Sequence, residues 1–138
     1  MDILVTTPKT EIENARREAQ DMAEHGGTYF RTFKRRPAVA PGDRIFFIED
    51  GFIRGYGRVI TFTSGQMRCD TTGRIWRGYH VHYARWRWLD VPVIKKGFRG
   101  FMYIRNLTAE LYQALSNAMP IDDPLPSLRS LRLCGEQK

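Results

Sequence analysis

The chain has no long hydrophobic run and very few cysteines. No apolar run approaches the roughly 18 residues that a membrane span needs, so we expect no membrane partner. The N-terminus starts acidic and is too short in its apolar part for a signal peptide. Cys69 and Cys134 are far apart and have neither CxxC nor histidine spacing. This argues against a disulfide framework or a zinc site and predicts a cytoplasmic protein.

The motifs of common enzyme classes are also missing. The sequence contains no GxSxG, no P-loop, no GxGxxG in a Rossmann context and no Ser–His–Asp order. His80 and His82 could ligate a metal from one strand face, but no third ligand follows at a suitable spacing. We therefore predict no catalytic residue, no metal and no cofactor, and the sequence favours a binding protein over an enzyme.

Positive charge is plentiful and lies in the middle of the chain. The formal net charge is +7, and residues 28–105 hold 16 Lys and Arg against five Asp and Glu. Most of the basic residues are arginines, which contact phosphate through two donors and stack on bases. A basic centre is typical of a polyanion binder, although a solvated basic surface that serves solubility has the same composition.

One segment, Pro41–Ile60, has the pattern of a β-hairpin. Two β-branched and aromatic runs flank Asp50-Gly51, a strong hairpin signal. Arg54, Tyr56 and Arg58 follow at period two, so they share one face of the second strand. If that face is outward it suits nucleic acid, and if it is inward its basic groups line a pocket.

The remaining pattern predicts an α+β fold: a small, mainly antiparallel β pseudo-barrel with flanking helices. Residues 1–120 form one domain, and 121–138 form a proline-rich C-terminal tail. Thr10 and Glu13 can form a capping box for the first helix, which His25-Gly26-Gly27 ends. Helices are predicted at 11–24 and 107–118, and strands at 2–6, 28–33, 44–48, 52–62, 74–89, 91–94 and 98–104. The turn 63–65 separates two of these strands, and a bulge is expected at Arg77-Gly78.

Three segments resemble the PUA-like superfamily, in particular its ASCH and EVE-type domains. They are Gly26–Arg36 after the first helix, the turn and strand Pro41–Phe47, and the glycine-containing strand Ile53–Val59. The resemblance spans roughly residues 3–105. It implies a pseudo-barrel with a cleft for RNA, a modified base or a nucleotide-like ligand.

Some members of that superfamily are amidohydrolases that use a Lys, a Thr and a Glu together. The ASCH pattern has a Glu between two basic residues after the first helix, and this chain has none there. Thr28, Lys34 and Glu49 are present, but their spacing does not single them out.

The densest basic and aromatic cluster follows the first helix. Arg31, Lys34, Arg35 and Arg36 stand beside Tyr29, Phe30 and Phe33, so cations could hold phosphates while a ring stacks on a base. The alternative is an exposed basic loop with its aromatic rings in the core.

Two further groups of residues allow the same two interpretations. The three tryptophans, Trp76, Trp86 and Trp88, fit either a stacking platform or core packing. The basic turn at 95–99 could contact phosphate or be a solvated loop.

The sequence thus predicts a binding domain for RNA, another single-stranded nucleic acid or a modified nucleotide. It does not determine the oligomeric state. A small hydrolase acting on a modified nucleobase and a protein-interaction module are the alternatives. The candidate ligand-binding residues are Tyr29, Arg31, Lys34, Arg35, Arg36, Arg54, Tyr56, Arg58 and Trp76.

Overall fold

The computed structural model describes residues 1–118 and the backbone of 135–136. Short 3-10 turns at Lys9–Glu11 and Ile104–Asn106 precede the two helices. The helices are α1 (Ile12–His25) and α2 (Ala109–Ala118). The strands are β1 (Ile3–Thr6), β2 (Tyr29–Phe33), β3 (Arg44–Glu49), β4 (Phe52–Arg68), β5 (Ile75–Ile94), β6 (Phe101–Tyr103) and β7 (Gly135–Glu136).

All strands belong to one curled sheet in the order β6-β1-β3-β4-β5-β2-β7. β1 with β3 and β2 with β7 are parallel pairs, and the other neighbours are antiparallel. The β4–β5 ladder changes register three times between Ile53 and Thr61, around Gly55 and Gly57. Such bulges bend and twist a sheet. The predicted α+β fold, a mainly antiparallel β pseudo-barrel with flanking helices, is confirmed, and the sheet is a half-barrel.

The sheet has a hydrophobic core on each of its two faces. Successive residues of β1 and β3 therefore alternate between the two cores. Ile3 and Val5 belong to a first core that includes α1, whereas Leu4 belongs to a second core that includes Leu115 of α2. The same alternation sends Phe47 to the first core and Phe46 to the second. This alternation is expected, because successive side chains of a β-strand point to opposite faces of the sheet.

The predicted turn chemistry is confirmed at two places and wrong at one. Asp50 and Gly51 both have positive φ, 53° and 83°, as a type I′ hairpin turn requires. Gly26 ends α1 with a left-handed φ of 71°. The capping box is wrong, because the 3-10 turn at 9–11 makes Glu11 the N-cap and no side chain caps the helix.

The two central strands are longer than the sequence indicated. β4 continues through 63–65 to Arg68, and β5 runs from Ile75 to Ile94 without the expected break before Val91. The ladder has no register shift at Arg77-Gly78, so the bulge expected there is wrong. The paired ends of β4 and β5, residues 61–68 and 75–82, form an extended hairpin that we call the arm.

The C-terminal boundary at residue 120 lies outside the described residues, which leave out 119–134 and 137–138. The backbone of Gly135–Glu136 pairs with Phe30 and Arg31 of β2. Neither α1 nor α2, the helices of the described part, is long and apolar enough to cross a membrane.

Candidate functional site

A cavity of about 730 Å³ opens where β1 and β2 end beside the loop that precedes β6. Its volume is typical of pockets for small molecules. It is lined by Thr6, Pro8, Arg31, Phe33, Lys34, Arg35, Phe98, Arg99, Gly100 and Phe101.

Thr6 connects the three segments that form the wall of this cavity. Its carbonyl accepts a hydrogen bond of 2.8 Å from Nη2 of Arg31, which is buried on β2. Its Oγ1 accepts one of 3.0 Å from the backbone N–H of Phe98. At Gly97 an added Cβ would lie 2.8 Å from Cγ2 of Thr6, so the loop approaches β1 too closely for a side chain. β1, β2 and the loop 97–100 thus meet at one threonine.

The rim carries exposed cations next to phenyl rings. Lys34, Arg35 and Arg99 are exposed and line the opening. The guanidinium carbon of Arg35 lies 5.3 Å from the ring centre of Phe101. That ring meets Phe33 edge to face at 5.4 Å. Among the described residues that line the cavity there is no Asp or Glu. The cavity therefore concentrates positive potential over an aromatic wall.

The structure brings three of the predicted site residues, Arg31, Lys34 and Arg35, together at this cavity. Arg36 is exposed next to them, with its guanidinium carbon 4.5 Å from the ring centre of Phe62 on β4. Tyr29 is at the other end of β2, where it is buried and its hydroxyl donates a 2.5 Å hydrogen bond to Asp21 Oδ2.

The residues predicted on β4 lie elsewhere. Tyr56 has no exposed surface and packs in the second core, 5.1 Å from the ring of Phe46, so it offers no ring face to a base. Arg58 donates from Nη1 to the carbonyl of Gly42, and burial lowers the pKa of its guanidinium, with Arg44 adding to the effect. Arg54 lies over the ring of Phe52 at 5.0 Å. These three side chains do not line the cavity.

The tryptophans are divided between core and surface. Trp76 is half-buried near the tip of the arm, under the guanidinium of Arg74 at 4.5 Å. Trp86 is buried in the first core and meets the exposed Trp88 edge to face at 5.1 Å. None of the three is among the described residues that line the cavity.

The two buried histidines are held by hydrogen bonds. His80 Nδ1 lies 2.8 Å from the hydroxyl of Thr32, and its Nε2 lies 2.8 Å from the carbonyl oxygen of Gly65. The second contact makes Nε2 the donor, so Nδ1 accepts from Thr32. His82 Nε2 lies 2.7 Å from Oγ1 of Thr63. Desolvation lowers the pKa of both imidazoles.

Several cavity residues were not among the candidates. Arg99 had a signal, because it belongs to the basic turn at 95–99, and Phe98 and Phe101 flank it in the sequence. The sequence gives no indication that Thr6 belongs to a site, since a threonine at the end of a short apolar strand is common. Only the tertiary approach of β1, β2 and the loop gives it a role.

The fold has a counterpart among solved structures. The chain matches the crystal structure of ASCH from Zymomonas mobilis with a TM-score of 0.52, over 84% of this chain and 94% of that one. The chain has an ASCH-type, PUA-like fold. Sequence identity to that protein is 12%, so the likeness concerns the fold alone. No protein-family model matches the chain, and no curated protein matches it in sequence.

Within this ASCH-type fold, the Lys, Thr and Glu of the hydrolase alternative do not meet at the cavity. Lys34 lines it, but Thr28 and Glu49 are buried elsewhere. Oε1 of Glu49 accepts a 3.2 Å hydrogen bond from Nε of Arg16.

Proposed function

We propose that this chain binds nucleic acid or a modified nucleotide in the cavity between β1, β2 and the loop 97–100. One observation carries the proposal: four cationic side chains and three phenyl rings line a single hollow of about 730 Å³. We also propose that the protein is located in the cytoplasm.

The chemistry of the lining matches the two parts of a nucleotide. Lys34, Arg35 and Arg99 are exposed at the rim, where they can neutralise phosphate without burying an unpaired charge. Phe98 and Phe101 are partly exposed and offer apolar ring surface on which a base can stack, whereas Phe33 is buried and supports Phe101 edge to face. Such stacking contributes about 1–3 kcal/mol per base.

The proposal keeps Arg31, Lys34 and Arg35 from the sequence-based candidates and adds Arg99. Arg31 has a different role from the rim cations, since it is buried and hydrogen-bonded to the carbonyl of Thr6. It sets a fixed positive charge in the cavity wall, whereas the rim side chains can move toward a phosphate.

Salt dependence of binding tests the proposal. We expect a fluorescein-labelled single-stranded RNA decamer to bind at 50 mM KCl and to weaken steeply by 200 mM. The log–log slope should be about −0.7 per phosphate neutralised. The double variant Lys34→Ala/Arg99→Ala should bind at least about tenfold more weakly and show a slope reduced by roughly 1.4.

The control replaces one arginine outside the cavity and is compared per charge removed. Arg17 is exposed on α1, so Arg17→Ala removes one charge without touching the lining. Circular dichroism of every variant checks folding. Absence of binding at low salt, a flat salt response, or an equal loss in Arg17→Ala would each contradict the proposal. The hydrolase alternative has no support from the positions of Thr28 and Glu49.

A further inference from the structure

A second hollow lies on the arm, close to the cavity. It has a volume of about 430 Å³ and lies over the ladder in which Ser64 pairs with Tyr79 and Gln66 pairs with Arg77. Gly65 and Gly78, which pair with each other, complete its lining. Arg77, Ser64 and Gln66 are exposed there. The hollow is therefore a shallow polar groove with one arginine and one tyrosine ring.

The groove and the cavity are neighbours through β2. Phe33 lines the cavity and is the direct partner of Tyr79, which lines the groove. The backbones touch at this point, because an added Cβ on Gly78 would lie 2.6 Å from the carbonyl oxygen of Phe33. Side chains directly opposite in an antiparallel pair share a face of the sheet. Phe33 and Tyr79 therefore join the two hollows on one face.

Arg36 makes a second connection. It follows Arg35 of the cavity rim in the chain and lies 4.5 Å over the ring of Phe62. Phe62 in turn stacks on Tyr79, with ring centres 6.1 Å apart and planes inclined by 23°. A guanidinium and two rings thus bridge the interval between the cavity and Arg77.

Positive charge predominates along this surface. Arg68 and Arg77 are exposed on the paired strands of the arm, and Arg74 is exposed in the turn that joins them. Within residues 61–82 the sole acidic residue is Asp70, in that same turn. Along the strands, four residues from Tyr79 to Ile75 extend the surface by about 13 Å.

We propose that the cavity and the arm form one continuous track for a single-stranded nucleic acid several nucleotides long. This rests on the proposed function: one nucleotide occupies the cavity and the next ones follow the arm. The arm part of the track is Phe62, Gln66, Arg68, Arg77 and Tyr79, and Arg36 connects it to the cavity rim.

The alternation of rings and cations selects a single strand over a duplex. Rings stack on bases whose faces are open, and a duplex hides those faces in its own stack. A duplex would meet only the arginines. The ligand class is therefore an oligonucleotide strand, and a free mononucleotide would use only the cavity.

A length series separates this inference from the proposed function. We expect labelled oligo(U) to bind about tenfold more tightly as a decamer than as a trimer, because added bases and phosphates meet the arm. Arg36→Ala/Arg77→Ala should weaken the decamer about tenfold, reduce its salt slope by roughly 1.4, and leave the trimer within twofold. The decamer duplex should bind more weakly than the single strand.

A matched double variant, Arg17→Ala/Arg105→Ala, removes two exposed arginines from outside both hollows. This control variant should still bind the oligo(U) decamer about tenfold more tightly than the trimer. Equal affinity for trimer and decamer, an equal loss in this control, or equally tight duplex binding would overturn the track while the cavity proposal stands. Failure of every length to bind at low salt would instead defeat the proposed function.

Discussion

His82 is a titratable side chain without exposed surface, and its surroundings decide how the protein responds to acid. It contacts Oγ1 of Thr63 and lies 5.7 Å from the ring of Phe30, with His80 two residues before it on the same strand. Burial, and to a lesser extent His80, lowers its pKa from 6.5 to about 4. The folded protein therefore holds His82 neutral at a pH where the unfolded chain binds a proton.

The stability linked to His82 is fully present above pH 6.5 and is lost as the pH falls toward 4. The loss amounts to at most about 3.4 kcal/mol. His82→Gln keeps a side-chain amide for the hydrogen bond to Thr63 and removes the titration, so the variant should lose less stability between pH 7 and 4.5 in urea unfolding. The exposed His25, changed to Gln, is the control. An unchanged pH dependence in His82→Gln would contradict this account.

Single residues also mark what the sequence could and could not predict about the site. Arg31, Lys34 and Arg35 are close in the chain, so the sequence could predict that they lie together, and in the structure all three line the cavity. The sequence could not predict that Tyr56 is buried in the second core. The alternating pattern of a strand shows which side chains share a face. Which of the two faces is buried depends on what packs against the sheet. Here β3 places Phe46 opposite Tyr56, and the second core covers both.

At the scale of elements, the bend of β4 depends on the absence of a side chain at Gly55. A Cβ there would lie 2.6 Å from the carbonyl oxygen of Arg87 and 2.7 Å from the ring of Trp86. Both neighbours belong to the paired strand β5, and Trp86 is buried. Neither can move without disturbing the bulged ladder, so the curl of the sheet requires glycine at this position.

We therefore expect Gly55→Ala to reduce the free energy of unfolding by about 1–3 kcal/mol, as overpacking does elsewhere. Gly51→Ala is the control, because its added Cβ would meet open space and only the positive φ is strained. That variant should lose about 1 kcal/mol. Urea unfolding at pH 7 measures both. Equal losses would mean that contact with β5 does not matter at Gly55.

Glycine also explains why element boundaries were harder to predict than element types. Gly65 and Gly78 resemble turn residues in the sequence, and both have positive φ, 107° and 142°. In the structure they are direct partners, so the ladder passes through them without a break. The strands were predictable from their β-branched and aromatic residues. The length of the arm was not, because it depends on two glycines meeting across a ladder.

For the whole molecule, the central question is whether the basic charge of residues 28–105 serves a site or only solubility. The cations of the cavity and the arm share one region of the sheet, next to aromatic rings. A surface kept for solubility would bind any polyanion according to charge. A site with rings should distinguish a nucleic acid from a polyanion that lacks bases.

Binding and folding are linked, so this distinction can be measured as stability. A single-stranded RNA decamer at 100 times its Kd should stabilise the folded chain by about 2.7 kcal/mol. In a domain of this size that raises Tm by roughly 10 °C. Dextran sulfate of equal charge should raise Tm far less, because it has no base to stack on Phe98 or Phe101. The variant Lys34→Ala/Arg99→Ala should lose most of the shift with RNA. Circular dichroism melting provides the readout. If dextran sulfate and RNA stabilised the chain equally, charge alone would account for binding, and the aromatic wall would have no part in recognition.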